Sequence, residues 1–180
     1  MTREVFENAR ARFLKMMEDA HIALTADEKA NVEVADFGLG ELERTGLELV
    51  VYINTPRCCA KEMTLFPGQT CPEHLHPTLN GVPGKQETFR CRKGRCYLYI
   101  DGKPAANPKV RPPKGDEKWY TVSHEIVLEA GEQYTIMPDT RHWFQGGEEG
   151  CVVSEFSTAS HDETDVFTDT RIVRAPKIDG

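Results

Sequence analysis

From about residue 45 onward the chain breaks into short extended runs, and no helix-length apolar pattern separates them. LELVVYIN (47–54), KEMTLF (61–66), QTCPEHLH (69–76), ETFRCR (87–92), RCYLYID (95–101), HEIVLEA (124–130), EQYTIMP (132–138), HWFQGG (142–147) and CVVSEFST (151–158) each read as a strand, with Gly, Pro, Asn or Asp between most of them. Many short strands at such spacing predict an all-β antiparallel sandwich or barrel and exclude a doubly wound parallel sheet. The proline-rich stretch from Lys103 to Lys118 predicts an exposed loop or flap. Ahead of the strands, Thr2 can cap a helix on which Val5, Ala9, Phe13 and Met16 or Met17 recur at spacings of three and four. Thr25-Ala-Asp-Glu28 is a capping-box pattern for a second, short helix that ends before Val32. The expected organisation is one domain: a helical segment over about 1–31, a barrel over about 45–158 and a C-terminal segment over 159–180.

The 180 residues suffice for one buried core. A net charge of −7 with no basic cluster argues against nucleic acid or an anionic membrane as partner. The first twenty residues are charged and lack the apolar core of a signal peptide, and no apolar run approaches the length of a membrane span. A cytoplasmic protein is therefore expected. In that setting the six cysteines (58, 59, 71, 91, 96 and 151) are expected to be reduced and mostly buried, since none forms a CxxC pair.

The densest chemistry lies in CPEHLHPTLNGVPGKQETFRC, residues 71–91. Successive side chains of a strand alternate faces, so His74 and His76 share one and can reach a single ion. A loop rich in turn formers follows, and Glu87 opens the next strand. A turn at Arg92-Lys93-Gly94 is expected to reverse the chain, leaving Glu87 beside the histidines as a neighbour in the sheet. His-x-His alone is more often solvent-facing or core than ligating. Here His142 starts a late strand after Pro138-Asp-Thr-Arg, and three imidazoles with one carboxylate leave positions open on Mn2+, Fe2+, Co2+ or Zn2+.

Gly68-x5-His74-x-His76, Glu87-x6-Gly94 and Gly131…Pro138…His142 together resemble the two-part motif of the cupin superfamily. The resemblance implies a double-stranded β-helix, a jelly-roll barrel with one metal ion inside. The ten residues between His76 and Glu87 exceed the usual three or four, and the second half is loose, with Thr140 where Gly is usual. EHLHPTLNGVPGKQETFRCRKGRCYLYIDG and GEQYTIMPDTRHWFQGGEEGCVVSEFSTASHDETDVFTD are similar to the small bacterial D-lyxose isomerases, in which that long loop is itself a feature. This second resemblance covers the chain from about residue 10. It implies His74, His76, Glu87 and His142 as metal ligands, Mn2+ as the ion, and interconversion of D-lyxose and D-xylulose, with D-mannose and D-fructose as further substrates. Cupins commonly pair through their sheets, so a homodimer is expected.

Isomerisation also needs a base over the C1–C2 bond. Lys85 shares the parity of Glu87, and Glu155 is a charge set among apolar residues of a late strand; both are candidate catalytic residues. The acidic run His161-Asp162-Glu163…Asp165 is a third candidate, able to cover the barrel mouth. Glu73 and Arg90 alternate away from the ligand face. Trp143 is expected to oppose His142 and pack, Phe144 to line the cavity, and Phe89, Tyr97 and Tyr99 to fill the barrel. Three histidines and a glutamate also serve cupin dioxygenases using Fe2+ and O2, and a non-enzymatic sugar-binding cupin is a further alternative. Phosphosugar isomerases would call for a basic mouth. The ionisable candidates suit a polyhydroxylated substrate better than an aromatic one.

Overall fold

The computed structural model describes residues 1–174 and 178–179. Helix α1 (Arg3–Asp19) is capped by Thr2, whose hydroxyl accepts from Val5 N, and α2 (Ala26–Ala30) carries the full capping box of Thr25 and Glu28. Ala9, Phe13 and Met17 seat α1 against Val34, Val50, Phe66 and Val152 on the outside of the barrel, while Val5 faces solvent. No helix among the described residues is long and apolar enough to cross a membrane.

Nine strands follow among the described residues: β1 (Glu33–Ala35), β2 (Leu47–Asn54), β3 (Cys59–Leu65), β4 (Thr70–Leu75), β5 (Glu87–Ile100), β6 (His124–Glu129), β7 (Gln133–Ile136), β8 (His142–Ser157) and β9 (Val166–Phe167). All pair antiparallel. β5 and β8 run beside each other from Glu87↔Ser157 to Ile100↔His142, and each belongs to both layers. In one layer the order is β1-β2-β3, the second half of β8, the first half of β5, then β7. In the other it is β9-β4, the first half of β8, the second half of β5, then β6. This double-stranded β-helix is the cupin fold.

The two long strands bend together. Their register jumps between Gly94↔Cys151 and Cys96↔Gly146. Gly94 and Gly150 have φ of +71° and +76°, and a Cβ on Gly94 would sit 2.2 Å from the Gly150 carbonyl oxygen. Only glycine permits both the left-handed backbone and that approach. The breaks that the sequence signals at 92–94 and 147–150 are thus bends within continuous strands, and the chain does not reverse at Gly94. In consequence β5 does not neighbour β4. Glu87 meets the histidines across the lumen from the opposite layer.

Inward-facing rows grade from apolar to ionisable toward one end of the barrel. β3 reads Leu65, Met63, Lys61; β5 reads Cys91, Phe89, Glu87; β8 reads Val153, Glu155 on one layer and Phe144, His142 on the other. The floor supplies the hydrophobic stabilisation and the mouth supplies the chemistry. Tyr97 and Tyr99 are outside this core. With Trp143 and Val122 they form a cluster on the outer face of the second layer, where Tyr99 and Trp143 stack at 4.0 Å. The proline-rich stretch covers them and is pinned by Tyr99 Oη donating to Val110 O at 3.0 Å and Gln145 Nε2 to Arg111 O at 3.2 Å, while Trp143 Nε1 donates to Val122 O just beyond it at 3.0 Å. All six cysteines are free, and five are buried.

Glu48 on β2 is fully buried, accepting from Gln69 Nε2 at 3.0 Å and from Thr64 Oγ1 at 3.2 Å. Burial pushes its pKa up to about 8, against the pull of those two donors. The unfolded carboxyl ionises near 4.5, so from there to about 8 the folded state keeps a proton that the unfolded state has lost. Stability from this group is full below that window and falls as pH rises through it. The thermal midpoint of the wild type, relative to Glu48→Gln, should drop as pH is raised from about 4.5 to about 8; parallel curves would refute this.

Candidate active site

His74 ends the inward row of β4, His76 follows just past its end, and His142 opens β8 directly opposite His74 in register. Their ring centroids lie 4.3–5.4 Å apart. The ten-residue loop that returns the chain to Glu87 is rigidly built. Leu79 and Val82 exchange backbone hydrogen bonds of 3.0 and 2.9 Å around Asn80 and Gly81, both at positive φ. Asp139 accepts from Thr78 N and Thr78 Oγ1, each at 2.6 Å. Gly84 lies so close to the ligand strand that a Cβ there would be 2.0 Å from His76 O. The extended loop therefore leaves Glu87 facing the imidazoles.

The outer hydrogen bonds decide which ring nitrogens face inward. His74 Nδ1 donates to Pro72 O at 2.8 Å and His142 Nδ1 to Thr140 O at 3.0 Å. A carbonyl oxygen only accepts, so in the neutral rings both Nε2 atoms carry lone pairs. His76 Nδ1 lies 2.6 Å from Asp165 Oδ1, which orients it the same way. Glu87 Oε1 stands 3.1 Å from His76 Nε2 and 3.0 Å from His142 Nε2. Yet His142 Nε2 is buried and makes no hydrogen bond. The unpartnered His142 Nε2 facing a carboxylate oxygen at this separation matches a metal's coordination shell, where ligands about 2.0–2.2 Å from the ion stand about 3 Å apart. The three histidines form the group that could hold a metal ion among the described residues, their ligating atoms within 4.8 Å of one another. Glu87 completes the constellation on distance.

Charge around the centre is paired. Burial and the neighbouring imidazoles hold His74 well below its ordinary pKa. Burial opposes the His76 cation, but Glu87 and Asp165 prevail and raise its pKa to about 9. Burial also works against the Glu87 charge, yet Lys85 and His76 keep its pKa well below the usual carboxylate value.

Lys85 faces the centre, as its parity predicts, with Nζ 2.7 Å from Glu87 Oε2 and 3.0 Å from Glu155 Oε1. Despite its burial, those carboxylates hold it cationic. Glu155 also accepts from Ser157 Oγ at 3.0 Å. Of the acidic run, Asp162 and Asp165 line the cavity, His161 is exposed at the edge of a neighbouring cavity, and Glu163 points to solvent. Lys61, buried on β3, bonds Asp162 at 3.1 Å, and Arg174 bonds it at 2.8 Å. Lys61 carries the signal that singles out Glu155, an inward-facing charge in an apolar strand, but sequence reasoning passed over it. Phe144 lines the cavity as expected, and Trp143 opposes His142. Glu73 faces away and accepts from Thr121, Val122 and Thr168, which ties the covering segment and β9 to the barrel.

The fold and this mouth define a cupin with a candidate metal centre walled by paired ionisable groups. The chain belongs to the D-lyxose isomerase family, and it is an aldose–ketose isomerase. The family's sequence profile matches residues 104–180. A D-lyxose/D-mannose isomerase of Thermosediminibacter oceani is 66% identical over 163 residues, 91% of this chain and 90% of that one. A D-lyxose ketol-isomerase of Cohnella laeviribosi is 60% identical over 174 residues, 97% and 96% of the two chains. The L-ribose isomerase of Acinetobacter sp. DL28, solved with L-ribose, superposes with a TM-score of 0.79 over 97% of each chain at 17% identity, a likeness of fold.

Second partners of ligating histidines typically contribute about 10- to 100-fold to metal affinity. Asp165→Ala should weaken divalent-metal binding by a factor in that range, read by calorimetric titration. An unchanged affinity would mean that His76 needs no such partner.

Proposed function

We propose that the protein interconverts D-lyxose and D-xylulose, and by the same chemistry D-mannose and D-fructose, with a divalent metal held by His74, His76, Glu87 and His142. The observation that carries this reading is the convergence of His76 Nε2 and His142 Nε2 on Glu87 Oε1 at 3.1 and 3.0 Å, with His142 Nε2 buried and without a hydrogen-bond partner. Mn2+ is the ion that the family resemblance implies, and three nitrogens with one carboxylate and open positions also accept Fe2+, Co2+ or Zn2+. When bound, the ion supplies positive charge to the developing enediolate.

The chain's own residues supply the rest. Glu155 takes the proton from C2 of the aldose and returns it to C1 of the enediol, while the hydroxyl proton passes from O2 to O1. Lys85, held cationic between Glu87 and Glu155, donates to a substrate oxygen and fixes the position of Glu155. The paired charges around the mouth suit a polyol and disfavour the apolar substrate that a dioxygenase would bind. A cytoplasmic homodimer is the assembly that accompanies this proposal.

Protein stripped of metal should not isomerise D-lyxose, and adding Mn2+ should restore ketose formation under strict anaerobic conditions. His74→Ala and His142→Ala should each lose stoichiometric metal. Turnover that consumes O2 without ketose formation would support the oxygenase reading instead.

Glu155→Gln keeps the shape of the side chain and leaves Lys85 its 2.7 Å bond to Glu87. It should lower kcat by about 10²–10⁴-fold, the range for a proton-transferring group, at nearly unchanged metal content and thermal midpoint. Wild-type turnover, or simple unfolding, would make Glu155 structural.

A further inference from the structure

The cavity at the histidines measures about 30 Å³, room for about one water molecule or the reacting end of a sugar. A second cavity of about 110 Å³ adjoins it, with His76, Lys85 and Asp165 lining both. This outer chamber lies between the tip of the long loop and the segment around Ala159, and Leu79, Val82, Pro83 and Ala159 give it an apolar far end. Leu79 and Val82 are 46% and 67% exposed. Large apolar side chains held out to water on a rigid turn commonly mark a contact surface. The turn itself needs only Asn80 and Gly81, so it does not explain the two residues beside them.

We infer that Leu79, Val82 and Pro83 form the subsite for the distal carbons of the sugar chain and set the choice between five- and six-carbon substrates. This rests on the proposed isomerase reading, which puts C1 and C2 at the histidines. A chain starting there and extending past His76 and Lys85 enters the outer chamber. Its last carbons then meet the loop tip, and a hexose, one carbon longer, makes the further contact. Ala159 faces the tip across the chamber and limits its width.

The test compares binding of D-arabinitol and D-mannitol, the open-chain alcohols of D-lyxose and D-mannose, to the Mn2+-loaded protein by calorimetry. The unit that D-mannitol adds is a CHOH whose C–H face meets the loop tip, and a buried methylene, the upper bound for such a contact, changes affinity about fourfold. Leu79→Ala/Val82→Ala should weaken D-mannitol about three- to tenfold, with D-arabinitol within about twofold of wild type. Ala159→Leu, narrowing the chamber from the other side, should shift the pair in the same direction. The kcat/KM ratio of D-mannose to D-lyxose should fall by a similar factor. If polyol selectivity shifts while the wild type isomerises neither sugar, the subsite stands and the isomerase reading falls. Equal weakening of both polyols, no change in either, or no binding of either to the wild type would overturn the inference. So would an unchanged selectivity with a halved mass in sedimentation, which would assign the loop tip to contact between copies.

Discussion

Inside a protein, two hydrogen-bond acceptors do not rest 3 Å apart unless a proton or a cation stands between them. The mouth of this barrel imposes that arrangement on Glu87 and two imidazoles. Everything around it serves to hold it: carbonyls fix the tautomers of His74 and His142, Asp165 turns His76, and the bend of β5 and β8 carries Glu87 to the facing layer. One layer supplies the three imidazoles, but the carboxylate that faces them comes from the other. The lumen of a closed double layer lets ligands approach from opposite walls.

The charges behind the ligands follow from the same geometry. Carboxylates brought that deep must be balanced, and the inward rows provide Lys85 for Glu87 and Glu155, then Lys61 and Arg174 for Asp162. Such pairs do little for net stability, yet losing one partner strands the other in low dielectric. The arrangement therefore reads as positioning, with ammonium and carboxylate groups already aimed at the lumen before a substrate arrives.

Much of this was legible in the sequence where the signal is local. Alternation placed most strands within two residues of their observed ends, and His-x-His with the Lys85–Glu87 parity marked inward-facing groups. What escaped depends on distant pairing. A glycine at 94 signals a break, but whether the chain reverses or bends is decided by Gly150, more than fifty positions later in the chain, which lets the ladder continue. Glu87 was accordingly assigned to the wrong side of the lumen. Tyr97 and Tyr99 are apolar enough for either face, and only the covering segment shows that they face out. β9 is two residues long and exists because β4 templates it. Asp165 had no local pattern to separate it from a solvated acidic turn.

The bond between His76 and Asp165 spans 89 positions. The centre is therefore a long-range object: no contiguous piece shorter than the stretch from His74 to Asp165 contains all of its parts. An ion cannot nucleate this fold as it does in a zinc finger, where neighbouring ligands collect it early. Loop-closure entropy must be met first by strand pairing of high sequence separation, which sets a slow folding rate and leaves the centre among the last features to form. An ion held there as proposed would act as a latch on a finished barrel. Its occupancy would report, at any moment, the fraction of molecules whose two layers and C-terminal segment have closed together.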